Sequence, residues 1–190
     1  MRSSYHRNCP WYLPLTLSAL VLALGTVSPA HSQAPTPDAQ IAAIRHLDYL
    51  IGDWQGEGWI EFNGIRRSFR GGELVQRKLD GVALLVEGNF LARMPDAASE
   101  VPVHTTLGIV SYDSDAQQYR FDTWLANGSS GERELVLYPD GWQWEIQGPQ
   151  GVIRYRMWLT PQGEWLEVGE RSSDGQIWSK FFEMRLHKAR

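Results

Sequence analysis

The chain has 190 residues, with 18 lysines and arginines against 22 aspartates and glutamates, a net charge of −4 at pH 7. This acidic balance argues against binding to a phosphate backbone, so we expect no nucleic-acid partner. The single cysteine, Cys9, excludes an internal disulfide and a zinc–thiolate cluster.

Residues 1–34 have the pattern of a secretory signal peptide. Two arginines give a basic start, an uncharged apolar stretch covers residues 13–27, and residues 32–34 (Ser-Gln-Ala) fit the small-x-small cleavage rule. The apolar stretch is shorter than the ~20 residues that a spanning helix needs, so we expect no stable membrane insertion after the leader is removed. The sequence therefore predicts an exported protein, periplasmic or extracellular, whose mature chain is residues 35–190.

The mature chain is long enough for one domain with a sizeable core. Removing the leader takes away two arginines and no acids, which leaves 16 basic and 22 acidic residues, a net charge of −6. Eight of the nine tryptophans lie in this part. So many indoles in one small domain predict either a large aromatic core or a lined cavity, in a monomer or a homodimer.

The mature chain starts with a predicted helix over residues 39–50, and Asp38 is a candidate N-cap. A single apolar stripe on a short helix favours a lid that packs across one end of a barrel. The stripe consists of Ile41, Ile44, Leu47 and Ile51.

After this helix the apolar pattern changes to period two, with turn residues at every break. We predict an all-β fold, a closed antiparallel up-and-down β-barrel of about ten strands, because an open meander would leave two bare edges. Residues 94–103 form the longest irregular stretch and predict a loop at one barrel end, a candidate gate. The predicted strands are 54–62, 66–79, 82–91, 104–112, 118–126, 132–138, 141–147, 152–160, 164–171 and 176–188.

The segment GDWQGEG at residues 52–58 marks the beginning of the barrel. Without side chains at Gly56 and Gly58, the strand can bend and a neighbouring strand can approach closely. We predict that Trp54 then plugs the closed end of the barrel. An ordinary hairpin strand with a structural tryptophan explains the same residues and predicts the same fold.

A short helix followed by LIGDWQGEG at residues 50–58, KLDG at 78–81 and WSKFFEM at 178–184 resembles the DUF1579 family of bacterial proteins. The resemblance runs from Leu47 to the C-terminus, and the family is similar to lipocalin-like, or calycin, barrels. The resemblance implies a lipocalin-like barrel with an internal cavity and one N-terminal helix, without an established activity.

The opening segment is also similar to that of nitrobindins, ten-stranded barrels that carry haem. Their haem ligand, a histidine shortly before the last strand, has no counterpart in residues 171–176. We therefore expect neither haem nor another cofactor. A haem-binding barrel of the nitrobindin kind remains an alternative.

Catalytic and metal-binding patterns are scarce. The three histidines of the mature chain, His46, His104 and His187, are far apart, and no paired-histidine spacing or nucleophile motif occurs. We expect no metal site, assign no catalytic residue, and favour binding over catalysis. The alternative is an enzyme that uses a cavity glutamate, such as Glu73 or the strand residues Glu87 and Glu183, as general acid or base.

Glu73 and Arg77 lie four residues apart on one predicted strand, so both face the interior if Val75 does. Paired there, they would anchor a ligand, whereas on the outer face they would be solvated. The sequence thus predicts a small, largely apolar ligand, neutral or anionic, inside the barrel. The candidate ligand-binding residues are Trp54, Glu73, Arg77, Tyr119, Phe121, Trp142, Trp144 and Tyr155.

We expect the exported protein to begin at Pro35, because Ala34 completes the small-x-small site after the apolar stretch. Intact-mass spectrometry of protein recovered from the periplasm or the medium measures this start. A species that retains residues 1–34 would contradict the prediction.

Overall fold

The structure, a computed structural model, describes residues 37–189, which belong to one compact unit, Pro35–Arg190. The predicted leader lies outside the described residues. Within residues 37–189, no helix has the length and apolar character needed to cross a bilayer.

The described chain consists of one α-helix, two short 3-10 turns and ten strands. The helix is α1 (Asp38–Arg45), and the 3-10 turns cover Asp48–Leu50 and Leu79–Gly81. The strands are β1 (Gly52–Phe62), β2 (Ile65–Lys78), β3 (Ala83–Arg93), β4 (Glu100–Asp113), β5 (Gln118–Leu125), β6 (Ser130–Tyr138), β7 (Gly141–Gly148), β8 (Gly151–Leu159), β9 (Trp165–Ser172) and β10 (Ser179–Lys188).

The ten strands form a closed antiparallel barrel in up-and-down order. Each strand pairs with its sequence neighbours, and β1 also pairs with β10, which closes the sheet. Closure leaves no bare edge and gives every strand one inward and one outward face. The predicted lipocalin-like barrel with one short helix is therefore confirmed.

The glycines of β1 permit this closure. A Cβ at Gly56 would collide with the carbonyl oxygen of Arg185 on β10, and one at Gly58 would collide with the carbonyl oxygen of Glu183. The ring of Phe69 also lies against Gly58. The predicted close approach of neighbouring groups at these two positions is thus present.

The helix is shorter than predicted. It ends at Arg45, and the cap position falls on Pro37 rather than on Asp38. The following 3-10 turn has about three residues per turn, which places Leu47 and Leu50 on one face. Leu50 therefore takes the core position predicted for Ile51. The buried residues of the helix and turn are Ala43, Ile44, Leu47 and Leu50.

The loop predicted for residues 94–103 is shorter in the structure. Only residues 94–99 lie between β3 and β4, and Pro102 is a strand residue opposite Leu91. A register shift between Phe90 and Leu91 leaves one residue of β4 unpaired there. Such a bulge tolerates a proline, which cannot donate to the ladder.

Trp54 closes the barrel end beneath α1 and the adjoining turn, as predicted. Its side chain is 1% exposed, and its indole N–H donates a 2.7 Å hydrogen bond to the carbonyl oxygen of Leu50. The ring meets Trp165 edge to face, with centroids 5.7 Å apart. Trp54 thus joins the sheet to the segment that covers it.

Trp54→Ala should lower the free energy of unfolding by ~3–5 kcal/mol, because it leaves a cavity that Gly56 and Gly58 cannot fill. Urea unfolding followed by circular dichroism measures the change. Trp124→Ala is the matched control, since Trp124 is 46% exposed, and should cost less than ~1 kcal/mol. Equal effects of the two substitutions would contradict the assignment.

Candidate functional site

The barrel interior is filled at one end and open at the other. Near α1, inward side chains such as Leu84, Val110 and Leu186 are fully buried. Toward the opposite end, inward side chains keep accessible surface, and in a closed barrel they can be reached only through the interior. They therefore border the part of the interior that is accessible to solvent. These half-buried residues are Phe69, Phe121, Trp144, Tyr155 and Phe182.

Aromatic rings line this open half as one continuous wall. Trp144 stacks on Tyr155 with centroids 4.4 Å apart, and Phe121 meets the edge of Trp144 at 5.9 Å. Tyr155 contacts Phe182 at 5.6 Å, and Phe182 stacks on Phe69 at 5.7 Å. Such a surface suits a flat apolar molecule.

Three tryptophans form the floor below this wall. Trp165 lies between Trp54 and Trp142, with centroid distances of 5.7 and 6.0 Å and edge-to-face geometry in both pairs. Its indole N–H donates a 3.2 Å hydrogen bond to Oε2 of Glu167, two residues further along the inward face of β9. The carboxyl group of Glu167 therefore lies between the tryptophan floor and the open half of the barrel.

Glu73 is a second inward carboxyl. It lies on β2 opposite Gly88 of β3 and is only 8% exposed. A Cβ at Gly88 would lie 2.8 and 2.9 Å from the two carboxyl oxygens, so the glycine provides the space they occupy. Oε2 is buried without a hydrogen-bond partner. This acceptor is therefore available to a bound group.

Both carboxyl groups have raised pKa values. Burial raises the pKa of Glu73 to about 8, and the negative charge of Glu167 contributes to the increase. Burial raises the pKa of Glu167 to about 7, against the opposing hydrogen bond from Trp165. Neither carboxyl has an ion-pair partner among residues 37–189. Near neutral pH the pair therefore holds protons that ordinary glutamates would have released.

The predicted internal pair of Glu73 and Arg77 does not form. Arg77 is 41% exposed and makes an ion pair with Asp48 in the 3-10 turn beside α1. Beyond Val75 the covering segment occupies the barrel end, so the guanidinium leaves the interior for the surface. Glu73 has another carboxyl as its neighbour instead of a cation.

The other predicted residues divide between the interior and its surroundings. Phe121, Trp142, Trp144 and Tyr155 lie in the wall or floor, as does Trp54. Tyr119 instead donates a 2.9 Å hydrogen bond to the carbonyl oxygen of Ala43 and so fastens α1 to β5.

Two glutamates considered as internal acids or bases lie outside. Glu87 is exposed on the outer face of β3, and Glu183 pairs with Lys180 at 2.7 Å. Glu167 is an internal carboxyl that was not among the candidate ligand-binding residues, although as a charge within a predicted strand it was one of those that could point inward. Its position two residues after Trp165 in a period-two strand was the available signal, since both must share a face.

Arg133 on β6 lies opposite Phe121 and faces inward. Its guanidinium folds back over Gly131, near the start of β6, and Nη1 donates to the carbonyl oxygen of Glu132 at 2.6 Å. Its Nε is buried without a partner. Because β6 starts at the open end, this group lies toward the mouth rather than at the floor.

Two histidines of the described strands lie toward the two ends of the barrel. His104 lies opposite the inward Phe90, with ring centroids 6.1 Å apart; its side chain keeps solvent-accessible surface, yet partial burial lowers its pKa. His187 is 63% exposed and lies 3.6 Å from Glu164. Among residues 37–189, no three His, Cys, Asp or Glu side chains are grouped so that they could hold a metal ion.

A separate groove of about 1230 Å³ crosses the outer face of β1, β2, β3 and β10. Its lining includes exposed charges such as Glu57 and Arg70, and its base is formed partly by glycine backbone. These charges are solvated, and Arg70 is already paired with Glu100 at 2.5 Å. The interior, with its unpartnered carboxyl, is the stronger candidate site.

Comparison with solved structures found similar barrels, and two of these proteins are Rv2717c and the phycobiliprotein lyase CPES. Rv2717c from M. tuberculosis superposes with a TM-score of 0.55 and 14% identity, over 78% of this chain and 98% of that chain. The S-type phycobiliprotein lyase CPES from Guillardia theta superposes with a TM-score of 0.53 and 6% identity, over 83% and 99%. The shared feature is the lipocalin-like barrel. At these identities the similarity concerns the fold alone.

Comparison with models of protein families found no match to this chain. Comparison with curated proteins found none either.

Glu73→Gln should stabilise the protein at alkaline pH and not at pH 4. A glutamate ordinarily titrates near 4.5, whereas burial raises the pKa of folded Glu73 to about 8. The folded state therefore binds this proton more tightly, and its contribution to stability is lost as the pH rises from about 4.5 to about 8. Removing the charge should recover ~1–4 kcal/mol at pH 8.5.

Urea unfolding at several pH values gives this difference. Glu87→Gln is the control, because Glu87 is exposed on the neighbouring strand and should show no such trend. A difference between Glu73→Gln and the unmodified protein that is constant from pH 4 to pH 8.5 would show that Glu73 titrates normally.

Proposed function

We propose that this protein binds a small, largely apolar molecule in the open half of its barrel. The observation that carries the proposal is the aromatic wall of half-buried inward residues above a filled tryptophan floor. Large inward rings with accessible surface favour an occupant, because apolar area left in contact with water is unfavourable.

We also propose that the protein acts after export and belongs to the DUF1579 family. Support for export comes from the basic start, apolar stretch and cleavage pattern of residues 1–34. Support for the family comes from the motifs at residues 50–58, 78–81 and 178–184, together with the barrel fold.

A second candidate function is general acid–base catalysis by the internal carboxyl pair. It is favoured by the pKa of about 8 for Glu73 and about 7 for Glu167, which suit proton transfer near neutral pH. An enzyme of this kind would lose its rate in Glu73→Gln while keeping its affinity for the apolar molecule. A binding protein has no such rate to lose.

N-phenyl-1-naphthylamine, a neutral apolar probe, should bind with one-to-one stoichiometry and quench tryptophan fluorescence. Trp144→Ala removes the ring stacked on Tyr155 and should weaken binding ~10-fold, a loss of ~1.4 kcal/mol. Trp124→Ala removes an outward ring and should leave the affinity unchanged.

A parallel titration with haemin, followed by its Soret band, tests the haem alternative. Stoichiometric haemin binding that is lost in His104→Ala, without binding of the apolar probe, would overturn the proposal. Absence of binding by both molecules would show that the interior is a filled core.

A further inference from the structure

We propose that the bound molecule carries a protonated amine, which the carboxyls of Glu73 and Glu167 hold at the floor while its apolar body lies against the aromatic wall. This inference rests on the proposed function and names the chemical class of ligand.

The first argument is an unsatisfied acceptor. Oε2 of Glu73 is buried without a hydrogen-bond partner, and the group as a whole is only 8% exposed. Buried acceptors are nearly always paired in folded proteins, and an unpaired one is costly. A ligand N–H pointing at the floor would satisfy it.

The second argument is charge. Glu73 and Glu167 face one interior, and the hydrogen bond from Trp165 is the single polar contact that the described residues provide to Glu167. Two neighbouring carboxylates in an apolar space repel each other unless a proton or another cation lies near them. An ammonium group can replace that proton and neutralise part of the pair's charge.

The surroundings of the pair favour this exchange. The titratable side chain facing it from β8 is Tyr155, whose pKa is raised by burial and by Glu167, so its hydroxyl stays neutral. The other inward residues next to the pair do not titrate. They are Gly88 on β3, Thr106 on β4, Met157 on β8 and Met184 on β10.

The inward cation Arg133 does not neutralise the pair. Arg133 folds over Gly131 toward the mouth and makes no ion pair with Glu73 or Glu167. The aromatic wall adds a further contribution, because the faces of Trp144 and Tyr155 attract cations as well as apolar surface. The floor therefore favours a ligand with a cationic group. An internal Arg77 would have favoured a ligand with an anionic group.

Three probes that share a naphthalene body test the inference by isothermal titration calorimetry at pH 7.5. They are 2-naphthylmethylamine, 2-naphthalenemethanol and 2-naphthoate. The amine should bind at least ~10-fold more tightly than the alcohol, and the carboxylate more weakly than the alcohol. Equal affinities, or tightest binding of the carboxylate, would overturn the inference.

The variants Glu73→Gln and Glu167→Gln test whether these two carboxyls bind the amine. Each should weaken amine binding ~10-fold or more and leave alcohol binding within ~2-fold. Glu87→Gln, on the outer surface, should change neither. A preference for the amine that survives in both interior variants would place its head group elsewhere and refute the assignment.

Proton release supplies an independent readout on the unmodified protein. Titrations at pH 7.5 in two buffers of different ionisation enthalpy should show that the amine displaces a substantial fraction of one proton and the alcohol none. Amine binding without proton release would contradict the replacement of a carboxyl proton by the ammonium group. Failure of all three probes to bind would instead refute the proposed function, so the two claims fail in different ways.

Discussion

Closure of the sheet between β1 and β10 is the constraint on which the rest of the architecture depends. The carbonyl oxygens of Arg185 and Glu183 come so close to β1 that only glycine fits at positions 56 and 58. Once the sheet is closed, half of the side chains of every strand face one shared interior. What the barrel can bind is then decided by which side chains fill that interior and which leave space.

The interior combines two environments that are usually kept apart. The indoles of Trp54, Trp142 and Trp165 form a buried floor, and two carboxyls lie next to it without a cation from residues 37–189. Keeping ionisable groups in such a place costs free energy, which is why strongly perturbed carboxyls mark binding and catalytic sites. Glu73 and Glu167 therefore distinguish this barrel from one whose aromatic residues serve only as a core.

Features set by local chemistry could be predicted from the sequence. Period-two alternation and turn residues such as Asn63 and Gly64 were sufficient for ten strands, and closure followed from the cost of bare edges. Trp54 was placed correctly because its strand parity and the adjacent glycines agree. Four of the predicted aromatic residues also line the wall or floor for the same reason.

Features set by partners distant in sequence could not be predicted. Arg77 has the inward parity of Glu73, but Asp48, 29 positions earlier, draws it to the surface. Pro102 suggested a loop, yet a bulge accommodates it within β4. The neighbour of Glu73 is Glu167, and that proximity exists only after β2 and β9 enter the same closed barrel. Strand parity could place each glutamate inside, but only the three-dimensional structure shows that the charge of Glu167 acts on Glu73 and that no cation of residues 37–189 pairs with either carboxyl.

The most direct measurement of the central claim is the titration of the side-chain carboxyls by carbon-13 NMR, with Glu73→Gln and Glu167→Gln used to assign the two resonances. The account predicts that both groups remain protonated well above pH 5 and titrate between about pH 7 and about pH 8. Midpoints near 4.5 for both residues would show that the carboxyls are solvated or paired, and would contradict the account of the site.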